Sequence, residues 1–341
     1  MGPLRTVTLV PDTGTVGDGA LGDAHIMNTT IIDSLAKVAE VYRSTGVVYR
    51  YKAYRTAIDT IKGLDFEIKS VDQVKGLKGI GKGMVDKIAE LLSTGALQQE
   101  KDVTSDPVNK ALRLFTSVHG IGPVLAKQLV EQGHRTLEDL AGAHLPPAAR
   151  MGLAHYEDGK ERIPFDEVEG HLTHLRTLLH GQVDAALIPV VCGSHRRLGP
   201  TSGDVDALLT HPMSHSRSES KYVYLKLAIK ALRDAGYVTD VLAEGDTKFM
   251  GYVKLPGEGS KVRRLDVRWV TFDQFPPAVM YFTGSDMFNV AMRADAQKLG
   301  YTLNEYRLMR TSDGSSLPIS SERDIFTLLG RPYVRPVDRS K

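Results

Sequence analysis

Three aspartates on two strand-like stretches most constrain how this chain can fold. Asp204 and Asp206 lie in the sequence Ser-Gly-Asp-Val-Asp, and Asp266 lies in Arg-Arg-Leu-Asp-Val-Arg. Because the side-chain period of a β-strand is two, Asp204 and Asp206 are predicted to project from one face while Val205 turns into the core. Carboxylates this close repel each other unless cations lie between them, and paired divalent ions serve that purpose in phosphoryl chemistry. The pattern predicts a metal site built across two strands.

The residues before this acidic pair distinguish it from a solvated edge strand, which is the ordinary explanation of a lone Asp-x-Asp. An apolar run from Ala185 to Val191 leads into Gly193 and Ser194, and Arg197 follows. Gly193 lets the backbone approach an anion, Ser194 offers a hydroxyl and an amide, and Arg197 can hold phosphate oxygens bidentately. We therefore predict a buried strand feeding a phosphate loop, with a nucleoside triphosphate seated beside the metals. This combination indicates nucleotidyl transfer.

Length and composition limit the remaining possibilities. A chain of 341 residues is predicted to form two or more domains, since a single core seldom grows beyond about 250 to 300 residues. No apolar run approaches the roughly 20 residues that a membrane helix needs. The single cysteine, Cys192, excludes an internal disulfide and a cysteine-based zinc site, and fits a reducing compartment. Residues 1–27 are rich in glycine and are predicted to be a disordered leader.

A locally basic segment lies between Arg43 and Lys87. It holds ten Lys or Arg against five acidic residues, although the whole chain carries a formal charge of only +2. Tyr49, Tyr51 and Tyr54 are interleaved with these cations, as expected where a protein follows a phosphate backbone and stacks on a base. A solvated helix face with tyrosines in the core remains the alternative.

An internal repeat follows. Leu-Lys-Gly-Ile-Gly at 77–81 and Val-His-Gly-Ile-Gly at 118–122 each precede an amphipathic helical pattern, at 84–92 and at 124–131. Glycines of this kind turn the chain tightly and direct successive amides at one point, which creates an anion site at a helix N-terminus. One copy would fit an ordinary turn. Two copies predict paired helix-hairpin-helix units that hold DNA phosphates without reading sequence.

Periodicity and end signals predict helices first and alternating elements later. Asn28 is predicted to cap a helix that ends near Ser44, and a Ser70–Gln73 capping box is predicted to open a short helix. From residue 163 the chain is predicted to form an α/β or α+β body. The elements expected are helices 49–61, 166–179, 221–235, helical turns over 277–300 and a last helix from Ser321, with strands 185–191, 204–209, 248–254, around Asp266, and 302–309.

Several motifs in one order now identify a family. The signature Gly-Ser-x-x-Arg at 193–197 precedes Ser-Gly-Asp-x-Asp, and further matching stretches lie at 245–251, 281–286, 304–306 and 338–340. From about Asn28 to Lys341 the chain resembles the family X DNA polymerases, most closely those of the polymerase β type. Chance agreement of several independent motifs in the correct order is very improbable.

The resemblance implies an α+β fold. It comprises an all-helical N-terminal domain with helix-hairpin-helix motifs, a nucleotidyltransferase-type palm with a mixed β-sheet, and a C-terminal α/β subdomain. The divisions expected are 28–105 for a lyase and 5′-phosphate-binding domain, 106–162 for a DNA-binding subdomain, 163–275 for the palm, and 276–341 for a nucleotide-binding and template-bracing subdomain.

The resemblance also implies roles for individual palm residues. Asp204 and Asp206 would bind two Mg²⁺ ions, for which Mn²⁺ can substitute, and Asp266 would hold the catalytic ion and accept or position the proton of the primer 3′-hydroxyl. Arg268 would pair with Asp206 in an inactive arrangement. Ser194, Arg197 and the Gly203 amide would bind the triphosphate, and Tyr281, Phe282 and Gly284 would line the sugar pocket. The base would contact Asp286 and Asn289. Arg264 and Arg293 would contact the DNA.

In the amino-terminal part the resemblance implies a second chemistry. Lys87 would form a Schiff base with a 5′-deoxyribose phosphate, and nearby Lys75 and Lys82 would lower its pKa. The 5′-phosphate would be bound by Arg50, Tyr54 and Lys75. A monovalent cation, Na⁺ or K⁺, would bind backbone carbonyls of the hairpins, at Leu77 and Ile80 and at Thr116, Val118 and Ile121.

The chain departs from the family pattern at four positions. His195 and Leu198 alter the phosphate loop, whereas Lys78 and Gly83 alter the 5′-phosphate pocket. The lyase pocket is therefore expected to be rearranged.

The expected function is template-directed gap filling in base excision repair, with deoxynucleoside triphosphates and gapped or nicked duplex DNA as partners. A monomer acting in the nucleus is predicted, and the mitochondrion remains open. The alternatives are a template-independent nucleotidyltransferase and a non-catalytic DNA-binding scaffold.

Overall fold

The computed structural model describes residues 25–218 and 222–340. The chain forms two compact units, which divide between Arg113 and Leu114. Of the predicted leader, residues 1–24 lie outside the described residues, and Ile26 and Met27 already belong to the first helix. The finer boundaries predicted at 105/106, 162/163 and 275/276 stay predictions.

Helices build the first unit. They are α1 (Ile26–Ser44), α2 (Val48–Lys62), a short 3₁₀ turn (Val71–Gln73), α3 (Lys82–Thr94) and α4 (Gln98–Ser105), and α5 (Pro107–Thr116) crosses the division between the units. The apolar faces of α1, α2 and α3 enclose one core, in which Leu35, Ile58 and Ile88 are fully buried. The 3₁₀ turn begins with the predicted capping box, since Gln73 Oε1 accepts from the Ser70 amide.

The predicted helix cap at Asn28 is wrong. Helix α1 begins at Ile26, and Asn28 lies buried inside it. The Asn28 amide donates to the Phe66 carbonyl at 2.8 Å, while its Oδ1 accepts from the Ile68 amide at 2.8 Å. The side chain thus satisfies two backbone groups of the segment that follows α2, which is a tertiary role that local sequence does not reveal.

Within the described residues, the second unit adds ten α-helices, two 3₁₀ turns (Phe272–Gln274 and Pro336–Asp338) and nine strands. Its helices are α6 (Pro123–Glu131), α7 (Leu137–Leu140), α8 (Pro147–Ala154), α9 (Tyr156–Lys160), α10 (Phe165–Gln182), α11 (Gly193–Arg196), α12 (Val223–Asp234), α13 (Phe275–Thr283), α14 (Asp286–Lys298) and α15 (Glu322–Leu328). Its strands are β1 (Ile163–Pro164), β2 (Ile188–Val191), β3 (Thr201–Ser202), β4 (Val205–Thr210), β5 (Val238–Glu244), β6 (Lys248–Lys254), β7 (Val262–Trp269), β8 (Tyr301–Leu303) and β9 (Leu308–Arg310). Over the part of the chain that the structure describes, no helix is both long enough and apolar enough to cross a membrane.

A mixed five-stranded sheet forms the centre of this unit, in the order β2-β4-β7-β6-β5. Strands β4 and β7 are parallel, whereas the other neighbours are antiparallel. Helices α10 and α12 cover one face of the sheet and enclose its core, with Leu175, Leu232 and Phe249 among the buried residues. In β7 burial alternates, so Leu265 and Val267 point into the protein and Asp266 lies on the opposite face.

The fold class is confirmed as α+β, but several predicted elements were wrong. The strand predicted over 302–309 is a hairpin of β8 and β9, because Asn304 Oδ1 accepts from the amides of Tyr306 and Arg307 and turns the chain. The phosphate loop after β2 is the helical turn α11. Strand β5 was missed because it is an edge strand whose partly exposed residues show no clear alternation. Helices α4, α5, α7, α8 and α9 were also missed.

Candidate active site and phosphate-binding hairpins

The three aspartates converge. Strand β4 pairs with β7 in parallel, and this register places Asp206 opposite Asp266. Asp204 lies one residue before β4 rather than within it, which corrects the predicted strand. Carboxylate oxygens of Asp204, Asp206 and Asp266 nevertheless all lie within 4.8 Å of one another. Neighbouring parallel strands therefore bring together residues that are far apart in sequence.

Electrostatics at the triad favour a cation. Burial, followed by the charges of Asp204 and Asp266, raises the pKa of Asp206 to about 6. Burial and Asp266 likewise raise the pKa of Asp204. Burial and like charges outweigh the effect of the nearby cations on the pKa values of Asp204 and Asp206, so the ionised form is costly. A hard divalent ion with oxygen ligands relieves that cost. All three donor groups are carboxylates, so this site fits Mg²⁺ or Mn²⁺.

The turn α11 lies beside the triad. The Cys192 amide donates to the Asp206 carbonyl at 2.8 Å, which attaches the start of the turn to β4. Gly193 has a φ of 63°, and a Cβ on it would lie 3.6 Å from Asp206 Oδ2. The Ser194 and Ser202 hydroxyls lie 3.4 Å apart. The turn thus presents small residues and hydroxyls next to the acidic cluster, as a phosphate site requires.

Two arginines connect α11 to the C-terminal part of the unit. Arg197 Nε donates to Ser340 Oγ at 2.7 Å, and its Nη1 donates to the Thr283 carbonyl. Arg196 donates to the Thr283 hydroxyl at 2.8 Å and forms an ion pair with Glu322 at 2.6 Å. The turn α11 is therefore linked to the end of α13 and to the C-terminal residues Glu322 and Ser340.

The two departures in the phosphate turn have distinct structural consequences. His195 is buried and stacks on Phe165 with ring centroids 4.3 Å apart, and its Nε2 lies 2.6 Å from Glu169 Oε1. It thereby attaches the turn to α10. Leu198 has a φ of 59°, in the left-handed region that residues with a Cβ rarely adopt.

The predicted sugar-pocket residues follow one another at the end of α13. Gly284 has a φ of 67°, and its peptide bond to Ser285 is cis. The Ser285 hydroxyl accepts from the Phe288 amide and so caps α14. The Asn289 amide donates to the Tyr281 carbonyl at 2.8 Å. Tyr281, Phe282, Gly284 and Asn289 are therefore held in one segment, and the exposed Asp286 lies at the start of α14.

Arginines surround this segment and the triad. Arg268 lies over the Phe282 ring at 4.8 Å, and Arg293 lies over the Tyr281 ring at 4.9 Å. The arginine in contact with the triad is Arg264, whose Nη2 lies 2.7 Å from Asp266 Oδ1. The expected pairing of Arg268 with Asp206 is thus not the arrangement of this structure.

Two cations near the triad were missed in the sequence. Arg162 donates to the Thr201 hydroxyl at 2.7 Å and lies beside Gly203. Its charge opposes the raised pKa of Asp204, and Lys248 acts in the same way on Asp206. Arg162 reaches this place because β1 pairs with β3. No spacing in the sequence indicated it, since strands of two residues carry almost no periodicity.

In the first unit, the predicted lyase residues meet around two tyrosines. Lys87 Nζ donates to the Gly83 carbonyl at 3.1 Å and lies 6.0 Å from the centre of the Tyr54 ring. Gln99 joins Tyr54 to Tyr42 through hydrogen bonds of 3.0 Å. Arg50 donates to the Tyr42 hydroxyl at 3.1 Å. Arg50, Tyr54 and Lys87 are therefore parts of one cluster.

Lys75 and Lys82, which were also expected near Lys87, make no contact with this cluster that the structure records. Lys75 forms an ion pair with Asp72 at 2.6 Å, which reduces its effect on a neighbouring amine. Lys82 is exposed at the first position of α3.

The two hairpins have the same backbone structure. Gly79 and Gly120 have φ values of 79° and 86°, and the amides of Ile80 and Ile121 donate to the carbonyls of Leu77 and Val118. Each following helix begins after a glycine, Gly81 or Gly122, that supplies no side-chain cap. The amides at these two helix starts are thus available to an anion. The carbonyl of Thr116 lies at the end of α5.

Comparisons with known proteins agree with this architecture. Residues 26–97 match a helix-hairpin-helix domain, 113–160 the fingers domain of DNA polymerase lambda, 162–272 the DNA polymerase beta palm and 278–340 the DNA polymerase beta thumb. The expected resemblance to the β type thus applies to the palm and thumb, while the fingers match the lambda family.

Similar full-length proteins support the same assignment. DNA polymerase lambda of Rattus norvegicus is 34% identical over 92% of this chain and 56% of its own length. DNA polymerase lambda of Arabidopsis thaliana is 34% identical over 92% of this chain and 62% of its own. The DNA polymerase type-X family protein pol4 of Schizosaccharomyces pombe is 26% identical over 92% and 65%. The chain thus spans roughly three fifths of the length of these relatives. With four family regions in the expected order around a converged aspartate triad, the chain is a member of the family X DNA polymerases.

Proposed function

We propose that this protein is a template-directed DNA polymerase that fills short gaps during base excision repair. The convergence of Asp204, Asp206 and Asp266 within 4.8 Å carries this proposal. Its substrates are gapped or nicked duplex DNA and deoxynucleoside triphosphates. We infer that it acts as a monomer on nuclear DNA, with mitochondrial DNA as the other candidate.

The chemistry divides among residues of the triad and the phosphate turn. The triad would hold two divalent ions, which would neutralise charge on the reacting phosphate and would lower the pKa of the primer 3′-hydroxyl. Asp266 accepts or positions the proton of that hydroxyl. Ser194, Arg197 and the Gly203 amide bind the triphosphate. Because Arg197 already donates to Ser340, an incoming triphosphate must compete with that hydrogen bond.

The segment after α13 selects the nucleotide in this proposal. Tyr281, Phe282 and Gly284 line the sugar pocket, where the close backbone at Gly284 leaves no room for a ribose 2′-hydroxyl. The base lies against Asp286 and Asn289. The remaining DNA contacts come from Arg264 and Arg293.

Primer extension on a one-nucleotide gap tests the proposal. Each deoxynucleotide is offered separately opposite each template base, and only the complementary one should be incorporated. Asp266→Ala should lower the rate by several orders of magnitude, whereas Asp234→Ala, at an exposed ion pair with Lys230, should not. Incorporation that ignores the template would indicate a template-independent transferase. No incorporation by the native protein would indicate a scaffold.

We further propose a 5′-deoxyribose phosphate lyase activity in the first unit. Its support is the cluster of Lys87, Tyr54 and Arg50. The neutral Lys87 amine attacks the sugar aldehyde and releases water to form an imine. Loss of a C2′ proton to water and cleavage of the C3′–O bond then release the downstream strand with its 5′-phosphate, and hydrolysis of the imine returns the free amine. Arg50, Tyr54 and Lys75 bind the 5′-phosphate, for which Lys75 must leave its ion pair with Asp72, and Lys82 contacts the DNA.

Borohydride trapping on an incised abasic site tests the lyase. Reduction of the imine should join protein and DNA covalently, and Lys87→Ala should remove this product. Lys62→Ala, at an exposed lysine ending α2, is the matched control. Undiminished trapping in Lys87→Ala would exclude Lys87 and direct attention to Lys82.

The hairpin carbonyls are proposed to bind monovalent cations that bridge to DNA phosphates. Leu77 and Ile80 serve the first site, and Thr116, Val118 and Ile121 serve the second. Replacing Na⁺ or K⁺ by a tetraalkylammonium ion at constant ionic strength should weaken DNA binding. Unchanged affinity would contradict these sites.

A further inference from the structure

Strand β7, which carries Asp266, is attached to the preceding helical segment at successive residues. The Val262 amide donates to Asp158 Oδ2 at 2.7 Å. The buried Arg263 donates to the Glu161 carbonyl at 2.8 Å and to Glu167 through Nε and Nη2. The next residue along, Arg264, contacts the second hairpin itself. The position of β7 beside the metal site is thus determined partly by residues outside the sheet.

The Arg264 guanidinium is held at both ends. Nη2 lies 2.7 Å from Asp266 Oδ1. Nη1 lies 2.9 Å from Nδ1 and 3.1 Å from Nε2 of His119, and a neutral imidazole accepts a hydrogen bond at only one of these two nitrogens. The Arg264 side chain is only 16% exposed. An arginine with both terminal nitrogens in contact has few alternative rotamers, so it transmits the position of one neighbour to the other.

His119 is an exposed residue whose backbone, rather than its ring, is closely packed. A Cβ on Gly152 would lie 2.1 Å from the His119 carbonyl oxygen, which shows how closely α8 approaches the hairpin. The His119 ring meets Tyr252 of β6 edge-on, with centroids 6.4 Å apart. The His119 backbone is therefore held against α8, and its ring contacts both Tyr252 and Arg264.

We propose that His119 is a positioning residue of the polymerase site: it holds Arg264, and Arg264 orients the Asp266 carboxylate toward Asp204 and Asp206. Arg264 occupies one oxygen of Asp266 and leaves the other to a metal ion. Groups that orient a metal ligand typically change metal affinity or activity by about 10- to 100-fold when removed. This inference rests on the proposed polymerase function. It also connects the hairpin that would hold duplex DNA to the catalytic aspartate.

Another role for Arg264 would give different results. If Arg264 served only to contact a DNA phosphate, loss of His119 would change DNA affinity and its salt dependence and leave the reaction of bound DNA unchanged. If His119 served only to fill space, an asparagine would be no better than an alanine.

The test compares His119→Ala, His119→Asn and the exposed-site control His144→Ala in the full chain. Mn²⁺ binding is measured by electron paramagnetic resonance on the protein with dideoxy-terminated gapped DNA and a deoxynucleotide, where no turnover occurs. Single-turnover rates are measured separately at saturating DNA. His119→Ala should weaken Mn²⁺ binding and lower the maximal rate by about tenfold or more, with a DNA Kd changed by less than about threefold. His119→Asn, which retains a hydrogen-bonding group, should recover most of both losses.

Three outcomes would overturn the proposal. They are native Mn²⁺ affinity and rate in His119→Ala, a loss confined to DNA affinity, and equal losses in the alanine and asparagine variants. Thermal unfolding checks that all variants fold. If the alanine variant is unstable, the comparison of His119→Asn with the native protein still tests the proposal. Should the native protein fail to incorporate nucleotides, the proposed function fails, whereas the Mn²⁺ measurement still tests the role of His119.

Discussion

At the scale of single residues, the triad combines a functional requirement with a cost to stability. Without a metal ion, Asp206 is ionised at neutral pH beside two other carboxylates, and its pKa of about 6 lies above the ordinary value of 3.8. The folded state therefore binds the Asp206 proton more tightly than the unfolded state does. Stability consequently rises as pH falls through about 6, and this gain is complete below the unfolded pKa.

Asp206→Asn should therefore raise the thermal midpoint of the metal-free protein at pH 7. The amide removes the like-charge repulsion, so the difference from the native protein should shrink toward pH 4. Mg²⁺ should raise the midpoint of the native protein and have a smaller effect on the variant, because ligand binding stabilises only a fold that holds the ligand. Calorimetry at several pH values, with and without Mg²⁺, measures both effects. A lower midpoint for the metal-free variant at pH 7 would contradict the assigned repulsion.

Leu198 gives a prediction that is independent of the metal. Its left-handed φ of 59° costs a residue with a Cβ about 1–2 kcal/mol. The side chain is 61% exposed, so it recovers little of this by burial. Glycine at this position relieves the strain, but it also raises the conformational entropy of the unfolded chain. That entropy offsets about 0.4–1 kcal/mol of the gain in stability. Leu198→Gly should thus raise the free energy of unfolding by up to about 1 kcal/mol in chemical denaturation, and a clear decrease would show that Leu198 makes a stabilising contact.

The sequence predicted the functional residues that lie in short motifs with regular spacing. Asp204, Asp206 and Asp266 could be found because period-two spacing and a preceding apolar strand are local signals. The contact of Arg264 with His119 could not, since it joins residues 145 positions apart. Asn28 was wrongly predicted as a helix cap because its hydrogen-bond partners, Phe66 and Ile68, are brought close to it only by tertiary folding.

At the scale of elements, each of the two hairpins contains one glycine that the packing requires and one glycine that has open space around it. A Cβ on Gly120 would lie 2.5 Å from the Ala149 backbone nitrogen, and one on Gly79 would lie 3.0 Å from the Ala57 nitrogen, and both residues have positive φ. By contrast, Gly81 and Gly122 have extended backbone, and a Cβ on either would meet no described atom within 4 Å. Only the first pair is required by packing.

Gly81→Ala and Gly122→Ala should leave the free energy of unfolding almost unchanged but weaken binding to duplex DNA, because the added methyl group would occupy the position proposed for a DNA phosphate. Gly79→Ala and Gly120→Ala should instead destabilise the fold by more than about 1 kcal/mol through strain and displaced backbone. Gly142→Ala, with open space around it, is the control. Fluorescence anisotropy with labelled DNA and chemical denaturation distinguish the two classes. Native DNA affinity in Gly81→Ala and Gly122→Ala would show that the hairpins do not hold phosphates.

Elements with strong local signals were predicted more closely than those without. The helix predicted from Ser321 is confirmed, since Ser321 and Asp324 form a capping box at the start of α15. Strand β7 showed a clear alternation and was found. Strand β5 and the two-residue strands β1 and β3 depend on their partner strands for stability, so their own sequences show no clear strand pattern.

At the scale of the whole molecule, the two units would give one chain two attachments to a gapped duplex. The first unit holds the cluster proposed to bind a 5′-phosphate, and the second holds the triad proposed to act on the primer. Two sites joined by a chain bind one ligand more tightly than either site alone, because the second contact becomes intramolecular. The advantage disappears when the DNA offers only one of the two ends.

The native protein should accordingly bind a one-nucleotide gap with a 5′-phosphate more tightly than the same gap without that phosphate, by about tenfold or more. Arg50→Ala should bring the two affinities close together, since Arg50 belongs through Tyr42 to the cluster proposed to bind the 5′-phosphate. Lys62→Ala removes an exposed charge from the same helix and should retain the preference, which separates a specific site from general basic charge. The affinities are to be measured at one stated salt concentration, because phosphate contacts depend steeply on salt. Equal affinity of the native protein for both gaps would mean that the first unit does not bind the downstream end, and the lyase assignment would then lose its physical basis while the polymerase site would be unaffected.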